Sequence, residues 1–333
     1  MKINLFEYFK IGKRPDAVEP NSKLNWFKHL LSEFIGTIWL SFSLVILAVY
    51  VGSAEEAHGQ VGTIINHAAR VEDYLQNIPF VAMYAGFISV GIALFVFLRW
   101  SCDLNPAVTL YRWINGTNTT LYAFAKTVIQ FIAAIITALI IYGLGSLTSP
   151  IDATNSTFDA IAATKKDFLV WNDNNAASGF ALIFFGELLI TLILLWPIFT
   201  KRISDKYRDL FIMVIIVFSV AIGIQIGTAA INPARGLAQQ LPDLIFGIKN
   251  GSTAYASAKS VLGAGASHEA LLEYASWELG FSTLFMFLGC YSAPIVYALL
   301  QGFTDKFVNP FVVRVIGWRN FKKDALISNK DRR

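Results

Sequence analysis

Long apolar stretches alternate with short polar breaks along most of this chain. Crossing a bilayer as a helix takes about 20 mostly apolar residues. Six stretches meet that length, at roughly Leu31–Val51, Pro79–Leu98, Ala125–Leu144, Gly179–Phe199, Leu210–Gly227 and Leu279–Gly302. Arg99, Arg112, Lys126, Lys201 and Arg202 stand at or beyond their margins, where basic side chains reach water. The second and fifth stretches each lead into a segment too short to cross. These segments open with Asn105-Pro106-Ala107 and with Asn232-Pro233-Ala234-Arg235. Asn is a strong N-cap because its side-chain oxygen accepts from an orphan backbone N–H. Pro suits the first helical position, where no N–H is needed. The pattern therefore predicts short helices from Val108 to about Trp113 and from Arg235 to about Gln240.

The pattern also repeats. The first stretch carries Glu33 and Thr37, and the fourth carries Glu187 and Thr191 at the same spacing, deep in apolar sequence. Two halves result, at about 30–150 and 175–305, with three spans each. An odd number of spans makes the second half enter from the opposite side, an inverted repeat with its site expected between the halves at mid-membrane. One short helix then enters from each face. At 1.5 Å per residue, about eight residues make roughly 12 Å, so two such segments end to end nearly cover a core of roughly 30 Å. Non-helical backbone at that depth survives only where protein buries it or where it lines a water-filled cavity.

Composition agrees. Of 333 residues, 55% are hydrophobic and 15% charged, with mean hydropathy +0.53, too apolar for an ordinary soluble domain. The net charge of +4 is unevenly placed. The N-terminal stretch holds Lys2, Lys10, Lys13, Arg14, Lys23 and Lys28. The C-terminal end holds Arg314, Arg319, Lys322, Lys323, Lys330, Arg332 and Arg333, and the connection after the fourth stretch holds Lys201, Arg202, Lys206 and Arg208. Basic loops stay in the cytoplasm, so both termini are expected there and the loops near Glu55–Asp73 and Asp152–Asp173 outside. The N-terminus is too polar for a cleavable signal, which leaves the plasma membrane as the expected location. No motif supports nucleic-acid binding. Cys102 and Cys290 fall in or beside spans, so no disulfide framework is implied. His29, His58, His67 and His268 lack ligand spacing, and no metal, cofactor or nucleophile constellation argues for an enzyme. Asn155 and Asn250 open glycosylation sequons that carry little weight.

Taken together, Glu33-x-x-Gly36-Thr37, Leu104-Asn105-Pro106-Ala107-Val108-Thr109, Gln130, Glu187, Asn232-Pro233-Ala234-Arg235 and Pro294 resemble the major intrinsic protein family, the aquaporins and glycerol facilitators. The resemblance covers both halves. It implies an all-α membrane protein with six transmembrane helices and two half-helices in an inverted-repeat hourglass pore. The channel domain would span 29–305, between a cytoplasmic tail at 1–28 and a basic cytoplasmic tail at 306–333. It implies a homotetramer in the lipid bilayer, each protomer with its own pore for water, glycerol or other small neutral solutes, excluding ions and protons. It further implies that Glu33 and Glu187 hold the loops that carry the half-helices.

The chemistry follows from the residue types. Two half-helix N-termini aimed at one point bring their positive dipole ends together, which disfavours cations. An Asn can cap with its oxygen and still offer N–H donors, so a water bonded to Asn105 and Asn232 points its own hydrogens away. Aquaporin-type pores are themselves a known case of selectivity by width, lining donors and electrostatic barriers. Arg235 adds a fixed charge and several donors. Ungapped counting from the two Asn residues puts the family's filter at Ala85, Val220, Ala229 and Arg235, with Tyr84 replacing Ala85 if the helix is rotated. Small apolar residues there favour glycerol and similar polyols over water alone. Other markers point both ways. Gly236 stands where glycerol facilitators usually carry Asp, Gln240 matches neither class, and Tyr291 is aromatic as in water channels. Asp103 replaces a usual His at the inner mouth, where it attracts cations, makes flux pH-dependent, or forms a salt bridge to Arg99 or Arg112. The alternatives are a water-selective aquaporin and, from another class, a closed-pore adhesion or scaffold protein using its long outside loops at Gly52–Ile78 and Asp243–Ser276.

Overall fold

The computed structural model describes residues 6–52, 79–148, 158–165, 175–200, 202–250 and 252–330. The loop expected over 53–78 with His58 and His67, most of the Asp152–Asp173 connection with the Asn155 sequon, and Lys201 lie outside them. Regular structure among the described residues is helical, apart from an isolated bridge between Val18 and Asn118.

Six long helices occupy the six apolar stretches. In chain order the helices are α1 (Lys23–Gly52), α2 (Pro79–Phe97), α3 (Pro106–Ile114), α4 (Thr120–Thr148), α5 (Ala160–Thr164), α6 (Ala176–Phe199), α7 (Asp205–Ile226), α8 (Pro233–Phe246), α9 (Thr253–Leu262) and α10 (His268–Phe303). A short π turn, Thr304–Val308, joins α10 to α11 (Asn309–Lys330), so the last span runs on into the expected tail. The 30 residues of α1 make about 45 Å, more than a bilayer core requires. Outward-facing side chains are apolar, Phe95 being 90% exposed, as a lipid-facing surface requires.

Local chemistry sets the ends. Asn175 caps α6 by accepting from Ala177 N–H, and Ser267 caps α10 by accepting from Ala270 N–H. The other end of α6 is closed by Arg208, whose Nη1 donates to the carbonyls of Pro197, Ile198 and Thr200 at 2.7, 3.0 and 3.0 Å. The stretch rich in Gly, Ala and Ser near 250–267 is not an open loop. It folds into α9, whose Ala254 and Ala258 pack with Leu271 and Ala275 of α10. Gly86 of α2 lets that helix approach the Met213 carbonyl of α7, where a Cβ would lie 2.5 Å away. Gly223 lies against Thr228 and Ala229 of the loop that follows its own helix.

The two ends of the chain share one face. Lys306 pairs with Glu7 at 3.0 Å, and Tyr8 donates its hydroxyl to Asp305. On this tail face the segment before α1 closes the end of α3: Lys10 and Ile11 N–H donate to the Ile114 carbonyl at 2.7 and 2.9 Å, and Gly12 N–H to Trp113 at 2.9 Å. The opposite, far face carries α5 and α9. α3 enters from the tail face and α8 from the far face.

Candidate functional site

Both half-helices begin at the middle of the protein, and they begin alike. Asn105 accepts from Ala107 N–H at 2.9 Å, and Asn232 accepts from Ala234 and Arg235 N–H at 3.0 and 3.3 Å. Each amide nitrogen crosses to the other half: Asn105 Nδ2 donates to the Ile231 carbonyl at 3.0 Å, and Asn232 Nδ2 to the Leu104 carbonyl at 2.6 Å. One N–H of each amide is left over, and both Asn residues line the central cavity.

Leu104 and Ile231, the residues just before the caps, adopt φ of 50° and 61°. That region is costly for residues with a side chain, and above all for β-branched Ile, at about 1–3 kcal/mol. Buried carboxylates hold them there. Glu33 accepts from the N–H of Asp103 and Leu104 at 2.9 and 2.7 Å, from Ser101 Oγ at 2.5 Å and from Gln130 Nε2 at 2.8 Å. Glu187 accepts from the N–H of Ala230 and Ile231, both at 2.7 Å, and from the Thr228 hydroxyl. Leu104 and Ile231 thus bond a Glu through their N–H and the opposing Asn through their C=O. Both Glu side chains are fully buried.

The halves differ in charge. On the tail side Asp103 accepts from Arg112 Nε at 2.7 Å and from Thr109 Oγ1 at 3.0 Å, and it pairs with Lys126. Lys126 also lies 3.3 Å from Glu33, and its side chain is only 3% exposed. The span-margin lysine is therefore drawn into the protein, and Asp103 is a salt-bridged residue with both oxygens engaged. Arg99, the other expected partner, stacks on Trp100 instead.

A cavity of about 560 Å³ runs past these groups. Its lining extends from Arg112 and Asp209 near the tail face, past Asn105 and Asn232, to Arg235 and Thr253 on the far side. The tail half is walled by Leu, Ile and Val side chains such as Leu94, Leu194 and Ile216. The far half holds Arg235, 8% exposed, whose Nη1 donates to the Ala229 carbonyl at 3.0 Å. Of the expected filter residues, Val220, Ala229 and Arg235 line the cavity. Ala85 is fully buried and absent from the lining, to which α2 contributes Val81, Val90, Ala93 and Leu94. The reason is local: Tyr84–Val90 of α2 winds as a π-helix, and its wider turn shifts any count made back from Asn105.

Phe158, just before α5, is the wall that sequence patterning missed. It lies 5.8 Å from the Arg235 guanidinium and is 2% exposed. Its backbone is bracketed by Gln240, whose amide oxygen accepts from Phe158 N–H at 3.3 Å and whose nitrogen donates to Phe158 C=O at 3.0 Å. Glu278 of α10 holds the same segment by accepting from Ile161 N–H at 2.7 Å. Loops have no hydrophobic period, so only the odd buried Gln240 hinted at such a partner.

The family model described as Major intrinsic protein matches residues 18–246, more than half of the chain. The chain belongs to the major intrinsic protein family. As a family member it is a membrane channel for small solutes and not an enzyme. A search of curated proteins gives no match. Among 46 matching chains of known structure is an aquaglyceroporin from Plasmodium falciparum, solved by X-ray. It shares 16% identity with this chain, covers 86% of this chain and 98% of its own, and superposes with a TM-score of 0.51. That likeness establishes the same fold, six spans and two half-helices around one cavity. In this major intrinsic protein the cavity offers amide donors at its midpoint and a guanidinium beside an aromatic ring on its far side.

Proposed function

We propose that this channel conducts glycerol and similar small polyols together with water, and excludes ions and protons. The observation that carries this reading is the far-side ring. Arg235 supplies donors, Phe158 lies 5.8 Å from its guanidinium, and Val81, Val220 and Ala229 supply apolar lining of the same cavity. A polyol has the matching character, hydroxyls along one edge and C–H groups along the other. A fixed guanidinium and two converging half-helix dipoles oppose cations in a low-dielectric setting. The donors of Asn105 and Asn232 orient a water at the midpoint and break a chain of proton hops.

The channel domain is proposed to span 29–305, with both termini cytoplasmic, in the plasma membrane. The basic residues that cluster on the tail face support that orientation. Homotetramer assembly is proposed from the family likeness.

The test is re-swelling of proteoliposomes after shrinkage in sucrose and then in glycerol. Glycerol re-swelling that tracks reconstituted protein supports the reading. Fast water flux without glycerol entry refutes it in favour of a water-selective pore, and absence of both fluxes favours a closed adhesion protein. For the exclusion of ions, Arg235→Ala should admit protons or cations, read with an internal pH dye.

A further inference from the structure

The π segment of α2, Tyr84–Val90, is gripped from two sides. Such turns are rare, occur mostly as single insertions within α-helices and often stand beside functional sites. On the α1 side, Trp39 Nε1 donates to the Ser89 carbonyl at 2.9 Å, and the Ser43 and Ser89 hydroxyls bond each other at 2.6 Å. Both serines are buried. On the α7 side, Gly86 lies against the Met213 carbonyl. Of the α2 residues that line the cavity, Val81 stands before this segment, Val90 is its last residue, and Ala93 and Leu94 follow it. By α-helical count Val81 and Val90 are about two and a half turns apart, which would set them on opposite sides of a plain α-helix. The wider winding brings both to one cavity.

We propose that Trp39 and Ser43 are positioning residues for solute selection: through Ser89 they hold the π register of α2, and that register makes Val81 a wall of the pore. A π turn closes over one residue more than an α turn. Gly91 N–H accordingly reaches back five residues to the Gly86 carbonyl. Plain α-helical winding back from Val90 would drop that extra residue and carry Ala82 to the place Val81 now holds. Ala82 is at present 1% exposed and packed in the core with Ile190 and Ile216. Ala is smaller than Val, so the pore would widen there. The indole suits the task because it is a donor only, so it cannot exchange roles with the carbonyl it holds. It also packs with Ala93 and Phe97, which fixes it to the α-helical part of α2 just beyond the π segment. Neither Trp39 nor Ser43 lines the cavity, so both act on the pore through α2. This assignment goes beyond the polyol reading and holds for whichever small solute the channel carries.

The experiment uses the full chain in proteoliposomes, with permeabilities to water, glycerol and a five-carbon polyol measured on the same preparations. Trp39→Phe keeps an aromatic ring and removes the N–H, and Ser43→Ala removes the hydroxyl. Each lost hydrogen bond should raise five-carbon polyol permeability relative to water by about two- to tenfold. Val81→Ala in the wild-type background should widen the pore in the same sense. The decisive comparison is Val81→Ala placed in the Trp39→Phe/Ser43→Ala background. If the register has shifted, Val81 has left the wall and its truncation there has no further effect, a non-additivity that mere loosening of the structure would not produce. Val81→Ala acting by the same factor in both backgrounds overturns the proposal, because the register then holds without the clasp. Wild-type permeability ratios in Trp39→Phe/Ser43→Ala overturn it too, as does an equal fall of all three permeabilities. If the double variant yields no folded channel, Trp39→Phe alone serves as the background, with the same outcomes. A wild type that passes only water defeats the polyol reading, and the same comparisons are then made on glycerol entry in the variants.

Discussion

Gln240 grips Phe158 by both its N–H and its C=O, so a side chain on the far half-helix fixes the aromatic wall that stands against Arg235 on that same helix. The position of the aromatic wall relative to Arg235 is therefore set from one helix. That wall is borrowed from a loop and clamped in place.

Substituting Gln240→Leu should free that wall. Phe158 would lose both clamping bonds in a buried setting, at about 1–3 kcal/mol for each group left unpaired. Gln240→Leu should then resemble Phe158→Ala, with entry of a five-carbon polyol rising relative to water in re-swelling assays. Wild-type selectivity in Gln240→Leu, alongside altered selectivity in Phe158→Ala, would show that the wall holds without its clamp.

The tail-side charges should be mutually dependent. Lys126→Met leaves Glu33 and Asp103 as buried carboxylates without their shared cation. Loss of one partner from a buried ion pair costs about 3–5 kcal/mol. Thermal unfolding of detergent-solubilised protein should show that loss, and adding Asp103→Asn should recover part of it. Additive losses in the double variant would mean the two groups are uncoupled.

Thiol reagents should distinguish the two cysteines. Cys102 lines the cavity, whereas Cys290 is fully buried beside Glu187 and Thr191. Burial and the nearby Glu33 and Asp103 carboxylates push the Cys102 thiol well above its ordinary range, so a small neutral methanethiosulfonate should reduce wild-type flux only slowly, faster as pH rises, and have no effect on Cys102→Ser. Continued inhibition of Cys102→Ser would place the reactive thiol at Cys290.

Close packing at the far face gives a further contrast. A Cβ at Gly179 would overlap the Ala160 carbonyl, while one at Gly143 meets nothing within 4 Å. Gly179→Ala should cost about 1–3 kcal/mol, as overpacking does, and disturb glycerol passage because Ala160 follows the Phe158 wall. Gly143→Ala should leave melting temperature and flux unchanged, and a comparable loss there would remove the explanation.

Much of this architecture was legible in the residues because its signals are local. Asn105-Pro106 and Asn232-Pro233 announce helix starts by cap chemistry alone, and Glu33 and Glu187 stand out as acids in apolar helices. The far half-helix nevertheless runs to Phe246, past the Gln240 limit expected and through Pro242. Tertiary packing there outweighs the helix-breaking tendency of proline. Non-local features were hidden. Lys126 looked like a boundary residue because its two acids are distant in sequence. Ala85 lies outside the cavity lining and within a π turn, which changes the residue count without changing the composition. Phe158 sits in a loop, and only folding shows what it faces.

The bonds from Lys10, Ile11 and Gly12 to the end of α3 also bear on biosynthesis. In the proposed orientation, with both termini cytoplasmic, residues 6–20 leave the ribosome before α3 does and stay on the tail face while two spans are inserted. The re-entrant segment thus meets a waiting clamp when it emerges. A bulky fusion joined close to Phe6 would interfere with docking of α3 during insertion more than with the finished channel, and would show itself as lost yield of folded protein.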